Sequence, residues 1–505
     1  MPHFKDYDYN QMKMLPVSFD KQILSGSFEY SLSYLIDHEI DQSIFYHRYI
    51  NDKNGAPAYD PAILLKIIIL AYSKGITSSR KIEALCRENI IFMAISADAQ
   101  PHFTTLADFV SRSHREIATL FKEVLLICDH LGLIGKEMFA IDGCKLPSNA
   151  SKEWSGTHEE LEKKYKKIDK AVDYIIEQHQ ANDQQSFDQE SIDYAEKQKN
   201  KLKSSSDKIK QFLKTNEKRK GKNGTEVKSN ITDNDSAKMK TSHGVIQGYN
   251  GVASVDNKHQ IIVAAEAYGQ GQEHGLLEPM IEQSQKNLRY KKKEKKETRI
   301  TADSGYCNTA SLTYLEDNEI DGYIADTGFR SRDPRFKDYK QHKPKDRLKP
   351  KRRFTVEDFK VNIEKQSCVC PAGKAMWLKA GKAKIKQIEF MQFQAYEKDC
   401  PSCPLKKQCL RNKNQMTPRQ VNIKLGVTEI KRSGVLETMK QKIDSVKGRV
   451  IYSQRLGTVE PVFGHINTMI GFKRFSLRGK TKVNAQWQLI SMVHNILKIH
   501  RYGWN

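Results

Sequence analysis

Apolar residues recur at helical spacing over residues 30–45, 61–73, 79–89 and 117–131, so residues 1–135 read as a helical N-terminal domain. Within it, the helix predicted over 75–89 begins with the basic pair Arg80 and Lys81. A second helix follows Thr104 or Thr105, either of which offers an N-cap hydroxyl. Two short helices so joined suit a DNA-reading helix-turn-helix, and equally suit ordinary helical packing.

The pattern changes after residue 136. Met138, Phe139, Ala140 and Ile141 form a short apolar run that stops at Asp142 and Gly143, which predicts a buried strand ending in a carboxylate at the sheet edge. Strand character returns over 245–255 and 260–267, on either side of Asp256, Asn257 and Lys258, as a hairpin. A helix over 276–288 leads to a strand at 299–302 that ends on Asp303, and a further short strand covers 322–325.

Two interruptions separate these pieces. Residues 152–240 are rich in Lys, Glu, Gln, Asp and Ser, with sparse apolar positions at helical spacing, and read as a helical-hairpin insertion ending in a flexible stretch near 218–224. Residues 327–424 are basic at first and then cysteine-rich. The fold class expected is therefore α/β: a mixed sheet assembled from segments 136–151, 241–326 and 425–505, the last helical in pattern, behind the helical N-terminal domain.

Composition narrows the function. The 505 residues carry 84 Lys and Arg against 61 Asp and Glu, a net charge of +23, which favours a polyanionic partner, most commonly nucleic acid. Runs such as 291–296 also fit a solvated basic surface. The longest apolar run, 62–72, is broken by Lys66 and falls short of the ~18 residues that span a bilayer, and residues 1–10 lack a secretory pattern, so a cytoplasmic location without a membrane partner is expected. Five of nine cysteines crowd into 368–409, which in a reducing compartment reads as metal ligation.

Candidate chemistry follows from placement. Asp142 and Asp303, each after an apolar run, bring hard oxygen donors suited to Mg²⁺ to adjacent strands. Tyr452, Arg455 and Glu460 precede an amphipathic stretch, share one broad helical face, and are followed by Pro461, which predicts a kink or a new helix start. Cys400 and Cys403, in a Cys-x-x-Cys pattern, join Cys370 and Cys409 as a set for structural Zn²⁺, with Cys368 the alternative to Cys370. Such a metal would hold together an insertion too poor in apolar residues to fold alone. Lys473, Arg474 and Arg478, interleaved with Phe472 and Phe475, suit phosphate contacts. His465, His494 and His500 read as packing or surface residues.

Together, Ala140-Ile141-Asp142-Gly143, Thr301-Ala302-Asp303-Ser304-Gly305-Tyr306, and Tyr452-x-x-Arg455 ahead of Glu460-Pro461-Val462-Phe463-Gly464 resemble the catalytic core of bacterial insertion-sequence DDE transposases. Residues 59–109 are similar to the helical N-terminal domain of such proteins, and Gly248-Tyr249-Asn250 with Asp256 resembles the hairpin between their acids. The resemblance implies a ribonuclease H-like fold and assigns Asp142, Asp303 and Glu460 to Mg²⁺ or Mn²⁺. It implies that Tyr452 and Arg455 handle the transposon end, and that a homodimer or larger assembly binds terminal inverted repeats and target DNA, cuts the ends and transfers the strands. Four residues rather than three separate Arg455 from Glu460, and Asn467 stands where a lysine is expected, which shifts end contacts toward Lys473, Arg474 or Arg478. Two other functions fit the same residues: a ribonuclease H-like nuclease without strand transfer, and a catalytically silent or domesticated DNA-binding protein.

Overall fold

The computed structural model describes residues 17–49, 57–182, 189–221, 224–242, 244–290, 297–336, 353–385, 388–410, 412, 415, 417–425 and 428–503. The basic run 291–296 and residues 1–10, on which two expectations rest, lie outside them, as do residues 222 and 223 of the 218–224 stretch. The chain divides into two compact units, residues 1–327 with 445–505, and residues 328–444.

The first unit opens with helices α1 (Phe28–Tyr34), α2 (Pro61–Ser73), α3 (Ser79–Glu88), α4 (Ile90–Ile95), α5 (Phe103–Arg112) and α6 (His114–His130). Asp60 caps α2 through the amide of Ala62, and Pro61 takes the first helical position, where its missing N–H costs nothing. α5 begins before Thr104, because the His102 ring takes the capping role that was expected of a threonine hydroxyl.

The sheet follows. Its central strand is β1 (Met138–Pro147); β2 (Ser155–Gly156) and β3 (Ser229–Asn230) form a separate ribbon beside the long helices α7 (His158–Asn182) and α8 (Gln189–Thr215). The remaining strands are β4 (Ala237–Thr241), β5 (Gly244–Asp256), β6 (Ile262–Tyr268), β7 (Arg299–Ala302) and β8 (Gly322–Ile324), in the order β4-β5-β1-β7-β8 with β6 also on β5. β1 is antiparallel to β5 and parallel to β7, so the sheet is mixed. Helices α9 (Leu277–Asn287) and α10 (Thr309–Asp317) join its strands. Asp256, fully buried, accepts the backbone amides of Gly135, Lys136 and Lys258, which fixes the entry to β1 against the hairpin turn.

β1 does not stop at Asp142. Residues 143–147 continue in register with 248–252 of β5, whereas β7 ends at Ala302, so beyond Ile141 β1 loses its neighbour on that side. Asp142 therefore sits mid-strand, at the point where the sheet opens.

Two helices close the first unit, α14 (Val446–Gly464) and α15 (Lys480–Tyr502); α11 (Phe329–Arg332), α12 (Lys406–Cys409) and α13 (Thr428–Asp444) belong to the second. Pro461 does not start a new helix but lies inside α14. A proline there cannot bond the carbonyl four residues back. That carbonyl, on Gly457, accepts instead from Gln260 Nε2 at 3.0 Å. Gln260, in the left-handed region at φ 62°, also receives Lys498 Nζ on its side chain and His494 Nε2 on its carbonyl. Because the carbonyl accepts, Nε2 of His494 carries the hydrogen, leaving its Nδ1 to accept from His465 at 3.0 Å.

α15 packs on α6 and β6. The open side of β6 is satisfied by side chains of that helix: Asn495 exchanges two hydrogen bonds with the backbone of Ile262, and Asn484 accepts from the amide of Ala267, all at 2.9 Å. Trp487, fully buried, donates to the Val252 carbonyl and rests on Gly251.

The second unit holds a five-stranded antiparallel sheet of β9 (Lys360–Asn362), β10 (Ser367–Val369), β11 (Ala375–Ile385), β12 (Ile388–Ala395) and β13 (Gln420–Leu425). It has its own core of Phe359, Cys368, Met376, Met391, Phe393 and Val421, so the segment expected to be too poor in apolar residues to fold alone does gather an apolar cluster. Alternation made the difference: Met391, Phe393 and Ala395 sit two apart on β12 and face one side.

Burial holds the His494 imidazole down to about 3, against an ordinary 6.5. The unfolded chain takes up this proton below pH 6.5 while the folded chain does not, so stability present above pH 6.5 is lost as the pH falls toward 3. Denaturant midpoints measured from pH 7.5 to 4.5 should show a loss of about 1.4 kcal/mol per pH unit from this group, absent in His494→Gln. Parallel curves for the two proteins would contradict it.

Candidate active site

The parallel register sets the site. Ile141 lies opposite Ala302, so the next residue on each strand, Asp142 and Asp303, stands side by side at the open end of β7. The helix α14 crosses this point and delivers Arg455, whose side chain is only 7% exposed. Its guanidinium reaches Asp142 Oδ2 at 2.8 Å and Asp303 Oδ1 at 3.5 Å, and lies 5.6 Å from the centre of the Tyr452 ring. One planar cation thus bridges both carboxylates.

Burial pushes the Asp142 carboxyl above its ordinary range, with Arg455 and the Gly143 amide pulling the other way and Asp303 adding to the rise. The Tyr452 hydroxyl is also raised, first by its burial.

A further acid faces the same space. Glu273, in the loop between β6 and α9, lies against Gly305, where a Cβ would overlap its carboxylate. Burial raises its carboxyl, and the charges of Asp142 and Asp303 raise it further. Asn250 stands over Gly143, where a Cβ would come within 2.6 Å of its Oδ1. Sequence reading missed Glu273, which is an unexceptional acid in a polar, glycine-containing loop; only the return of that loop to the ends of β1 and β7 singles it out.

Glu460 is not brought to the pair. Five residues along a helix amount to about 140° of net rotation, so it leaves the face that carries Tyr452 and Arg455 and is exposed. Among the described residues, no group of three or more His, Cys, Asp or Glu side chains is gathered closely enough to hold a metal ion.

Other predicted residues are distributed. Arg80 and Lys81 are exposed on α3, with the Arg80 guanidinium 4.5 Å from the centre of the Phe103 ring of α5. Arg474 Nε donates to the Ser148 carbonyl at 3.2 Å and Arg478 Nε to that of Asn149 at 2.7 Å, so both brace the chain just beyond β1, while Lys473 is exposed. In the second unit Cys370, Cys400, Cys403 and Cys409 line one pocket with Asp399 and Arg419. Cys368 instead lies in the hydrophobic core, its Sγ 3.7 Å from Met376 Sδ.

Removing the bridging cation while keeping both carboxylates should be costly. Arg455→Gln is expected to lower unfolding free energy by about 3–5 kcal/mol, the typical cost of breaking a buried ion pair, and adding Asp142→Asn should recover part of the loss. A purely additive double mutant in urea denaturation would show that the two groups do not interact.

Two family models match the chain: Transposase DDE domain over residues 369–500, and Transposase domain (DUF772) over residues 17–112. The first covers Tyr452, Arg455, Glu460 and the clustered cysteines from Cys370 onward; the second covers Arg80 and Lys81. No curated protein matches. A DDE-domain match toward one end and a second transposase-domain match toward the other together support an insertion-sequence DDE transposase.

Proposed function

We propose that this transposase binds the terminal inverted repeats of its own element, cuts at the ends and joins them to target DNA, with Asp142 and Asp303 as its metal-holding pair. The observation that carries the reading is the parallel register that sets the two aspartates side by side. The mixed sheet around them supports a ribonuclease H-like fold. The donor chemistry fits the metal: two adjacent, partly buried carboxylates offer hard oxygens, and their ion pairs with Arg455 are in keeping with a place for a cation. Mg²⁺ or Mn²⁺ bound there supplies the Lewis-acid stabilisation of an in-line phosphoryl displacement.

The protein's own groups do the rest. Tyr452 and Arg455 border the carboxylates on the helix side, where a guanidinium displaced from the aspartates can take a phosphate oxygen of the transposon end. Glu460 is the third carboxylate by resemblance, and in this role the segment carrying it turns toward the pair. Arg80, Lys81, Lys473, Arg474 and Arg478 contact DNA phosphates, in line with the net charge of +23. The enzyme works as a homodimer or larger assembly on DNA in the cytoplasm; among the described residues, no helix is long and apolar enough to cross a membrane.

In the second unit, Cys370, Cys400, Cys403 and Cys409 hold structural Zn²⁺ as thiolates. Their common pocket supports that set, and the position of Cys368 in the core favours Cys370 over it.

Two measurements test these readings. Asp142→Asn and Asp303→Asn should each reduce cleavage of labelled element ends at least a hundredfold while leaving gel-shift affinity within about twofold; undiminished cleavage removes the pair from the chemistry, and cleavage without joined products points to a nuclease. Metal analysis of protein purified under reducing conditions should find zinc in wild type and Cys368→Ser and lose it in Cys403→Ser; zinc-free wild type would refute the thiolate site.

A further inference from the structure

Asp142 and Asp303 leave one side of their shared space to residues outside the transposase motifs. Glu273 enters it from the loop after β6, and its carboxylate occupies the volume that a side chain at Gly305, two residues past Asp303, would need. Two buried polar groups lie beside it. The Tyr306 side chain is fully buried with no partner for its hydroxyl, and burial, then the charges of Glu273, Asp142 and Asp303, hold that hydroxyl far above its ordinary range. Asn250, also fully buried, has its side-chain amide against the Glu273 carboxylate and borders Gly143 next to Asp142, but makes no hydrogen bond of normal geometry through either Oδ1 or Nδ2.

Unsatisfied buried polar groups cost about 1–3 kcal/mol each, so two of them around three carboxylates need an explanation. A hydrated cation would supply one: water bound to it would donate to Asn250 Oδ1, and further water around it would accept from Asn250 Nδ2 and from the Tyr306 hydroxyl. Arg455, bridging the two aspartates, keeps the acids from closing on a common point.

Resting on the metal-pair reading above, we infer that Glu273 is a further carboxylate ligand of the divalent cation held by Asp142 and Asp303, with Asn250 and Tyr306 ordering water around it. The position of Glu273 relies on Gly305 remaining without a side chain.

The test is Mn²⁺ binding to the full-length protein, followed by the loss of the free-ion electron paramagnetic resonance signal, with thermal midpoints confirming that each variant is folded. Glu273→Gln is expected to weaken Mn²⁺ binding at least tenfold. Gly305→Ala, which leaves every acid in place but evicts the Glu273 carboxylate, is expected to weaken it in the same direction and keeps the inference testable if Glu273→Gln does not fold. Wild-type affinity in both variants, with binding lost in Asp142→Asn, overturns the role of Glu273 and leaves the aspartate pair standing. Wild-type affinity in Asp142→Asn as well overturns both.

Discussion

Two carboxylates placed side by side by strand register repel each other, and the burial of Asp142 magnifies the repulsion. The sheet cannot relieve this by sliding, since both faces of β1 are buried here and a one-residue slip would exchange Phe139 and Ile141 with Met138 and Ala140 between two differently packed sides. Charge must therefore be supplied from elsewhere. Arg455 supplies it, and that requirement fixes where α14 crosses the sheet and which of its faces is buried. The burial of Val459 and Val462 on the same helix follows from this placement, as does the exposure of Glu460.

α14 can hold that position only if its internal proline is accommodated. The remedy lies outside the helix, in a glutamine at the hairpin turn whose side chain takes over the orphaned carbonyl of Gly457. Gln260 also meets His494 and Lys498, so the turn after β5, the helix that carries Arg455 and the last helix of the chain share one set of hydrogen bonds. The aspartate pair is thus positioned from both sides, by the sheet through register and by the helix through this knot.

Local patterns in the sequence showed much of this. The strand over 299–302, the hairpin around Asp256–Lys258 and the helix near 277–287 were legible because short apolar runs and turn residues act over a few positions. The extension of β1 past Asp142 was not, since it depends on β5, a strand more than a hundred residues later. Pro461 misled for the same reason: its usual effect is local, and the compensating group lies almost two hundred residues away. Glu273 carries no motif. In the second unit the abundance of lysine masked a period-two alternation of apolar residues, and the core around Phe393 emerged only once the strands were paired.

The seal along β6 ties the safety of the sheet to the order of synthesis. Its backbone groups are met by Asn495, 233 positions further along the chain. At about 5–20 residues per second a ribosome needs roughly 10 to 50 seconds to make that stretch. Through this interval the growing polypeptide presents, on the side of β6 away from β5, an open strand edge rich in valine, isoleucine and alanine, an invitation to strand addition by a neighbouring nascent copy. A chaperone that shields extended apolar segments would thus matter most while the second half of the chain is still being made.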